Sequence, residues 1–329
     1  MKQVLIDKYG RQLNYLRLSV TDRCNLRCYY CMPEEGMHFV PREDLLSFEE
    51  MYLLTSIFCN LGVSKVRITG GEPFVRNGIM SFLENISTLE GLDEINITTN
   101  ATLTGKYTQR LKAAGIRKIN ISLDSLDRQR FYAITRRNSF DTVYNTIFAL
   151  LNEGFEIKLN CVLSASQNVD DIIPFIELTK AHPLSVRFLE EMPFNGSADF
   201  EDINWNYKDI YNHISQHYDE VVTLDNEPHS TSLNYAIPGY KGTFGIIPAF
   251  SRTFCGTCNR IRLSATGELR TCLYGAPAAN LRDALRNGAD EEGIKEIIMQ
   301  AVSGRLRDGF AAEAMNMKTV HDSMSVLGG

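Results

Sequence analysis

Two kinds of hydrophobic pattern alternate along the chain up to about residue 190. Short apolar runs typical of β-strands are separated by longer stretches in which apolar residues recur at helical spacing. The predicted strands are 16–20, 65–69, 94–99, 118–123, 157–163 and 185–190. The predicted helices are 47–61, 78–89, 105–114, 139–153 and 170–181, and Ser47 with Glu50 forms a capping box at the first of them. Such alternation indicates a parallel sheet with helices on its outer face.

The number of strand–helix units bounds the architecture. Six units are fewer than the eight of a closed TIM barrel, so we expect an α/β fold built as a partial (βα)6 TIM-type barrel. After about Pro193 the pattern becomes irregular, with a helix-like stretch at 207–218 and short strands at 242–248 and 260–271. The sequence therefore predicts a barrel domain over residues 1–192 and a C-terminal extension over residues 193–329.

Polar residues in the predicted strands fall on one face of each strand. Side chains alternate between the two faces of a strand, and the face covered by helices should be apolar. The residues that share the other face are Arg17, Ser19, Thr21, Arg67, Thr69, Asn96, Thr98, Asn100, Asn120, Ser122, Asp124, Lys158 and Asn160. Buried polar groups that satisfy one another are the alternative, but agreement among five strands favours a wet, functional interior.

Composition excludes several classes of partner. The chain has 329 residues, of which 44% are hydrophobic and 22% charged, with a formal net charge of −6. It has no Lys/Arg-rich stripe, which argues against nucleic acid, and an anionic substrate would need locally placed cations. No apolar run approaches the ~20 residues that span a bilayer, and the N-terminus lacks the apolar region of a signal peptide. We therefore expect a cytoplasmic protein that does not act at a membrane.

Eight cysteines in a chain expected in the cytosol indicate metal binding rather than disulfides. Two of them, Cys59 in a predicted helix and Cys161 in a predicted strand, are typical of buried core thiols. The other six form a triad near each end of the chain: Cys24, Cys28 and Cys31, and Cys255, Cys258 and Cys272.

The first triad directly follows the first predicted strand as C-x3-C-x2-C. A cubane [4Fe–4S] cluster has four irons and usually takes thiolate ligands, so three thiolates would leave one iron open to another ligand. Zinc is the alternative, but structural zinc sites favour C-x2-C pairs and a closed set of four ligands. His38 is the only nearby candidate for that fourth ligand.

The second triad has the spacing C-x2-C-x13-C. Three thiolates would again bind three of the four irons of a cubane, which predicts a second cluster with one open iron. Zinc stays possible here in principle. Arg260 and Arg262 follow Cys258 on one face of a predicted strand. They either balance the charge of a cluster or bind an anionic ligand such as a phosphate chain.

The first triad resembles the Cx3CxΦC motif of the radical S-adenosylmethionine (SAM) superfamily, with Tyr30 as the aromatic residue. Gly70-Gly71-Glu72-Pro73 is similar to the GGEP element of that superfamily, although alone it would be an ordinary strand-to-helix turn. The resemblance implies that SAM chelates the open iron and is cleaved by one electron to a 5′-deoxyadenosyl radical. It also implies that SAM is contacted by Tyr30, Gly71, Ser122 and Met192.

The second triad, with its C-x-R-x-R segment, resembles the GTP 3′,8-cyclase family of molybdenum cofactor biosynthesis, and the likeness runs through nearly the whole chain. It implies that the radical removes the ribose 3′ hydrogen of GTP and that the ribose carbon attacks C8, giving 3′,8-cyclo-7,8-dihydro-GTP. The second cluster would hold the guanine. The implied substrate contacts are Arg17, Arg67, Thr98, Lys158, Arg260 and Arg262.

Two further positions carry expectations from this resemblance. The terminal Gly328-Gly329 is similar to a dipeptide that reaches the active site and assists catalysis, although a frayed terminus is the alternative. Ala101 stands where the family commonly has Gly, and it would be strained if this turn needs a positive φ. The resemblance also implies a homodimer, a one-electron reductant such as a flavodoxin or ferredoxin, and a downstream cyclic pyranopterin monophosphate synthase.

Two other functions stay open on the sequence. One is a different radical SAM enzyme with an auxiliary cluster, such as a peptide-modifying type, although those usually carry more C-terminal cysteines. The other is a ferredoxin-like electron carrier, which would need four ligands for each cluster and no lined barrel.

Overall fold

The computed structural model of the protein describes residues 4–32, 39–192, 205–316 and 324. Its strands are β1 (Tyr15–Ser19), β2 (Lys65–Thr69), β3 (Glu94–Thr99), β4 (Lys118–Ser122), β5 (Glu156–Leu163), β6 (Ser185–Glu190), β7 (Val222–Thr223), β8 (Leu233–Ala236), β9 (Thr243–Ile247), β10 (Arg260–Leu263), β11 (Glu268–Arg270) and β12 (Ala279–Asn280). Its α-helices are α1 (Phe48–Asn60), α2 (Ile79–Ile86), α3 (Thr108–Ala113), α4 (Arg128–Thr135), α5 (Phe140–Asn152), α6 (Ile172–Ala181), α7 (Tyr207–His217), α8 (Leu281–Arg286), α9 (Glu291–Ser303) and α10 (Gly309–Met315).

All the strands belong to one twelve-stranded sheet in the order β12-β11-β10-β1-β2-β3-β4-β5-β6-β9-β8-β7. Strands β1 to β6 pair in chain order and in parallel, which confirms the predicted partial barrel. The C-terminal part adds a parallel strand at each edge, with β10 beside β1 and β9 beside β6. The sheet is therefore shared by both parts of the chain, and the division at residues 192 and 193 stays a prediction, since residues 193–204 lie outside the described ones.

Local sequence explains where the helices begin. Ser47 and Glu50 form the predicted capping box at α1, since each side chain accepts a hydrogen bond from the other's backbone N–H. The sequence pattern missed α4, because its apolar stripe amounts to little more than Phe131 and Ile134. Asp127 caps this helix, accepting hydrogen bonds from the N–H groups of the second and third helical residues.

The two faces of the barrel strands differ as their polar pattern predicts. On the outer face Leu16, Ile68, Ile97, Ile119 and Leu159 are fully buried against the helices. Their neighbours of opposite parity line a cavity inside the barrel, namely Arg17, Arg67, Thr98, Asn120 and Lys158. The predicted polar interior is therefore confirmed.

The alternative explanation of the polar pattern holds near the ends of β1 and β2. The hydroxyls of Ser19 and Thr69 are buried and donate to the backbone carbonyls of Thr21 and Leu18. These two residues therefore have their hydrogen bonds satisfied within the protein and serve a structural role.

None of the helices in the described ranges combines the length and the hydropathy needed to cross a bilayer.

Candidate functional site

The two cysteine triads share one cavity. It has a volume of about 430 Å³, lies inside the barrel, and is lined by all six cysteines together with the polar strand residues. Cysteines from opposite ends of the chain thus meet there because β10, which directly follows the C-x2-C pair, is paired with β1, which directly precedes the first triad. All eight cysteines lie in the described ranges, and none of them forms a disulfide.

The first triad lies in a loop that leaves the end of β1. A tight turn brings Cys28 and Cys31 together, since the carbonyl of Cys28 accepts hydrogen bonds from the N–H groups of Cys31 and Met32 at 3.0 and 2.9 Å. The loop is fixed to the C-terminal end of α4, where Thr135 and Ile134 accept from the N–H groups of Arg27 and Tyr29.

Burial determines the protonation of the first triad. Burial raises the pKa of Cys24 to about 11 and that of Cys31 to about 12. Burial, followed by repulsion from Cys31, raises the pKa of Cys28 well above its usual range. The buried thiols are therefore protonated without metal, and cationic irons would displace the protons as they bind.

The geometry of the thiols fits a cluster better than zinc. Among the described residues, no three His, Cys, Asp or Glu side chains lie close enough to share one metal ion. A cubane gives each thiolate its own iron and therefore accepts a wider spacing than a tetrahedral zinc ion. His38, the only fourth ligand considered for zinc, lies outside the described residues.

The Gly70-Gly71 pair is needed because the loop of the first triad passes directly over it. The N–H groups of Gly71 and Glu72 donate to the carbonyls of Thr21 and Arg23, both at 2.8 Å. A Cβ atom on Gly71 would lie 2.4 Å from the carbonyl oxygen of Arg23. The family resemblance implies that Gly71 contacts SAM; the structure adds a close approach of the chain itself.

Glu72 joins the ends of β2 and β3. Its buried carboxylate accepts hydrogen bonds from the N–H groups of Phe74 and Asn100 at 3.1 and 2.7 Å and from the hydroxyl of Thr99 at 2.9 Å. Burial raises the pKa of Glu72 to about 7. The carboxylate therefore fixes Asn100, whose side-chain amide lies 3.6 Å from the sulfur of Cys24.

The expected strain at Ala101 is present. This residue follows Asn100 with φ at 62°, in the left-handed region that favours Gly. Its methyl group is fully buried in the hydrophobic core. The burial of the methyl group offsets part of the backbone strain, which is about 1–2 kcal/mol for a residue with a Cβ atom.

The four positions expected to contact SAM all line the cavity: Tyr30, Gly71, Ser122 and Met192. The hydroxyl of Tyr30 donates to Asp124 at 2.6 Å, and Asp124 also accepts from the N–H of Val162 at 2.9 Å. Met192 accepts a hydrogen bond from the hydroxyl of Tyr274 at 3.3 Å. Hydrogen bonds with Asp124 and Tyr274 thus fix the side chains of Tyr30 and Met192.

The second triad differs electrostatically from the first. Cys255 begins a short 3-10 turn, Cys255–Thr257, Cys258 directly follows that turn, and Cys272 follows β11. Burial and the nearby thiols raise the pKa of Cys255. Burial also opposes ionisation of Cys258, but Arg260 and Arg305 outweigh it and lower its pKa to about 6. One thiolate ligand is therefore already present at neutral pH, which suits this triad to binding a cluster.

Cationic side chains lie in register across neighbouring strands. Arg262, Arg17 and Arg67 stand opposite one another on β10, β1 and β2. On β3 the residue opposite Arg67 is Asn96, and a second row, two residues further along β3, consists of Thr98, Asn120 and Lys158. All the residues expected to contact the substrate line the one cavity, including Arg260.

Sequence reasoning missed Arg187, which also lines the cavity. It lies opposite Asn160 in the register of β5 and β6. The parity rule that identified the other cations would have found it, had it been applied to β6. The buried Nε of Arg187 and the buried Oδ1 of Asn160 have no hydrogen-bond partner in the described part of the chain.

These cations repel one another. Burial and then Arg262 lower the pKa of Arg17, and burial and then Arg67 lower that of Arg187 to about 10. Burial and then Arg187 lower the pKa of Lys158. Such a cluster costs folding free energy, and a bound polyanion would offset that cost.

Tyr15 is a second residue that the sequence did not single out. Its hydroxyl accepts a hydrogen bond from Nε of Arg67, and its ring lies 5.1 Å from the ammonium of Lys65. Burial alone would raise its pKa, but Arg67 and Arg17 lower it to about 8. The cationic cluster therefore contains one group that ionises in an accessible pH range.

Gly328 and Gly329 lie outside the described residues. Met324, close to them in sequence, lines the cavity and packs beside Tyr274. Before that point the chain is held by Arg252, which is sandwiched between the rings of Tyr274 and Phe310 and forms an ion pair with Glu313 at 2.8 Å. This contact fixes α10 at the edge of the cavity.

The chain is similar to known proteins along its whole length. Residues 18–179 match the model of the radical SAM superfamily, and residues 184–310 match the model described as Molybdenum Cofactor Synthesis C. The fold is similar to that of Streptococcus suis SuiB bound to its precursor peptide SuiA, with a TM-score of 0.62 and 14% identity, covering 97% of this chain and 77% of that one. At that identity the likeness concerns the fold alone.

Curated relatives are closer in sequence. The mitochondrial GTP 3′,8-cyclase of Arabidopsis thaliana is 39% identical over 100% of this chain and 84% of its own length, and the GTP 3′,8-cyclase of Syntrophomonas wolfei is 42% identical over 92% and 93%. Human molybdenum cofactor biosynthesis protein 1 is 40% identical over 92% of this chain. The chain spans about half the length of the human protein and of the Caenorhabditis elegans protein moc-5. It belongs to the radical SAM superfamily and, within it, to the GTP 3′,8-cyclase family of molybdenum cofactor biosynthesis.

Proposed function

We propose that this chain is a GTP 3′,8-cyclase, which uses SAM to convert GTP into 3′,8-cyclo-7,8-dihydro-GTP at the start of molybdenum cofactor biosynthesis. The observation that carries the proposal is the row of Arg262, Arg17 and Arg67 inside the cavity that both cysteine triads share. In a chain of net charge −6, arginines that repel one another inside a cavity favour a polyanionic ligand, and a triphosphate is one.

The cofactors of this family are two [4Fe–4S] clusters and SAM, and both donor sets described above fit a cluster. We propose that Cys24, Cys28 and Cys31 hold the first cluster. The second would be held by Cys255, Cys258 and Cys272. When bound, the first cluster and SAM supply radical chemistry that removes a hydrogen atom from the substrate.

The residues of the chain bind and orient the two small molecules. Tyr30, Gly71, Ser122 and Met192 contact SAM in this proposal. The triphosphate is held by Arg17, Arg67, Thr98, Lys158, Arg260 and Arg262, and we add Arg187 to that set. Arginine forks suit bidentate contacts with phosphate oxygens, whereas Lys158 acts as a point charge. Fixing the substrate at both ends supplies the orientation that the ring closure requires.

The remaining expectations are also part of the proposal. Gly328-Gly329 would act at the cavity, and a one-electron reductant such as a flavodoxin or ferredoxin would serve the first cluster. The product would pass to a cyclic pyranopterin monophosphate synthase. We retain the homodimer and the cytoplasmic location as predictions; one similar protein is described as mitochondrial.

Product analysis of the reconstituted protein tests this function. After anaerobic loading with iron and sulfide, we expect SAM, dithionite and GTP together to give 5′-deoxyadenosine with loss of GTP in equal amount. ATP in place of GTP serves as the control and should not be cyclised. Release of 5′-deoxyadenosine without consumption of GTP would remove the substrate from the proposal, and no 5′-deoxyadenosine would remove the activity altogether.

Binding of GTP should weaken as the pH rises through about 8, and the Tyr15→Phe variant should lose this dependence. Tyr15 is neutral below its lowered pKa of about 8, and above it the phenolate repels the triphosphate. The triphosphate of GTP is already fully ionised there, since the last pKa of a phosphate group is about 6. We expect the affinity to fall by up to about tenfold for each pH unit, measured anaerobically by calorimetry.

The charged groups described as interacting with Tyr15 are Lys and Arg side chains. They are Arg17, Lys65, Arg67, Arg187, Arg260 and Arg262. The phenolate contributes to folding stability only as the pH rises above about 8, toward the unfolded pKa of 10, so stability at pH 7 should not depend on its charge. An equal pH dependence in Tyr15→Phe would assign the effect to another group.

A further inference from the structure

A buried carboxylate near the N-terminus lies behind the second cysteine triad. Asp7 is in a short hairpin closed by a bridge between Ile6 and Gln12, and its side chain is fully buried. It accepts hydrogen bonds from Nε of Arg11 at 2.6 Å and from the N–H groups of Tyr9 and Arg11 at 2.9 and 3.0 Å. These bonds fix the guanidinium of Arg11 in one orientation.

Arg11 uses its other nitrogens to join two distant segments. Nη1 donates to the carbonyl of Cys255 at 3.0 Å and to that of Arg307 at 2.6 Å, and Nη2 donates to the carbonyl of Leu306 at 2.8 Å. The side chain of Arg11 is only 9% exposed. One arginine thus connects the N-terminal hairpin, the loop of the second triad and the segment after α9.

Arg305 forms the matching contact on the other side of the same loop. Its side chain is 3% exposed, lies 3.7 Å from the carboxylate of Asp7, and donates from Nη1 to the carbonyl of Cys258 at 3.0 Å. The backbone carbonyls of Cys255 and Cys258 are therefore each held by a buried arginine, and both arginines are anchored on Asp7.

We infer that Asp7, Arg11 and Arg305, here called the Asp7 brace, are positioning residues that fix the C-x2-C half of the second cluster site. The turn between the two cysteines is only a 3-10 turn of three residues, Cys255–Thr257, which has little intrinsic rigidity. The brace supplies that rigidity from outside the cavity. The inference rests on the second triad holding a cluster, as proposed above.

The brace should act on one cluster only. Its two arginines donate to the backbone carbonyls of Cys255 and Cys258, whereas the loop of the first triad is fixed by α4, Gly71 and Glu72. Outer contacts of this kind typically change metal affinity by about 10–100-fold. Loss of the brace should therefore lower occupancy of the second site and leave the first site intact.

The test uses the full chain carrying Cys24→Ser, Cys28→Ser and Cys31→Ser, so that only the second triad can bind a cluster. We expect about four irons per chain after reconstitution, and a marked loss when Arg305→Gln is added. Arg307→Gln is the matched control, since that exposed arginine lies two residues away and loses the same charge. Arg305→Lys, which keeps the charge and a donor, should restore part of the iron and of the electron paramagnetic resonance signal.

A second background separates positioning from general stability. In the chain carrying Cys255→Ser, Cys258→Ser and Cys272→Ser, the Arg305→Gln change should leave the iron content and the resonance signal of the first cluster unchanged. Equal losses in both backgrounds, or no loss in the first, would overturn the inference. If the unsubstituted chain binds only one cluster, both this inference and the cofactor assignment fail. If it binds two clusters but does not consume GTP, only the substrate assignment fails.

Discussion

The Cys272→Ser variant is expected to lose conversion of GTP while it still cleaves SAM to 5′-deoxyadenosine. Cys272 belongs to the triad that we assign to holding the substrate, whereas two positions assigned to SAM, Tyr30 and Gly71, lie in or against the loop of the other triad. A displacement of the substrate by roughly 1 Å can cost about a hundredfold in rate, so we expect at least that loss in cyclisation. Chromatography of the nucleotide and the nucleoside products after single turnover would measure both reactions together.

Two variants complete this experiment. Cys28→Ser should lose both reactions, because that residue lies in the triad beside the SAM positions. Cys59→Ala should lose neither, since that buried thiol lies in α1 and packs in the hydrophobic core. Normal GTP consumption by Cys272→Ser would show that the second triad does not hold the substrate. Loss of SAM cleavage in the same variant would show that the two triads act as one centre.

Local patterns in the sequence sufficed to predict the barrel strands and to single out the two cysteine triads that line the cavity. The predicted strands 65–69, 94–99 and 185–190 coincide with β2, β3 and β6, because alternating apolar residues face the helices directly. The two triads could be recognised in the sequence because most of the cysteines of each lie within one short segment. Strand parity alone predicts that Arg17, Arg67 and Lys158 face the interior of the barrel, where they line the cavity.

Features that depend on pairing between distant segments could not be predicted in the same way. The local pattern of β10 does not predict that this strand pairs with β1, yet the pairing puts Arg262 opposite Arg17. The lowered pKa of Tyr15 and the Asp7 brace likewise depend on side chains that come from several elements. The helix α4 was missed for a different reason, since a short amphipathic stripe of two apolar residues is a weak signal.

The Gly71→Ala variant is expected to destabilise the protein and to lose the first cluster. The new Cβ atom would lie 2.4 and 2.6 Å from the carbonyl oxygen and carbon of Arg23 and 3.0 Å from the carbonyl oxygen of Asp22. These are backbone atoms, so no side chain can rotate away. Relief requires the loop of the first triad to move off the end of β2, which breaks the hydrogen bonds from Gly71 and Glu72 to that loop.

The cost of this movement can be bounded. Overpacking in a rigid site costs about 1–3 kcal/mol, and each of the two lost hydrogen bonds adds about 1 kcal/mol, so we expect the free energy of unfolding of the apoprotein to fall by about 3–5 kcal/mol. Urea unfolding measures it. Iron content and resonance spectra should show the second cluster retained, because the loop at Cys255–Thr257 is held by Arg11 and Arg305 and not by the contacts of Gly71.

Gly256→Ala provides the matched control for the same chemical change. A Cβ atom on Gly256 would meet no other atom within 4 Å, so stability and first-cluster content should be unaffected. The comparison decides between two reasons for a glycine at position 71. If Gly71→Ala unfolds normally and binds its first cluster but no longer cleaves SAM, the glycine serves the approach of SAM alone. If stability and cluster are lost together, as we expect, the glycine is needed first to let the cluster loop cross the strand, and SAM binding depends on that crossing.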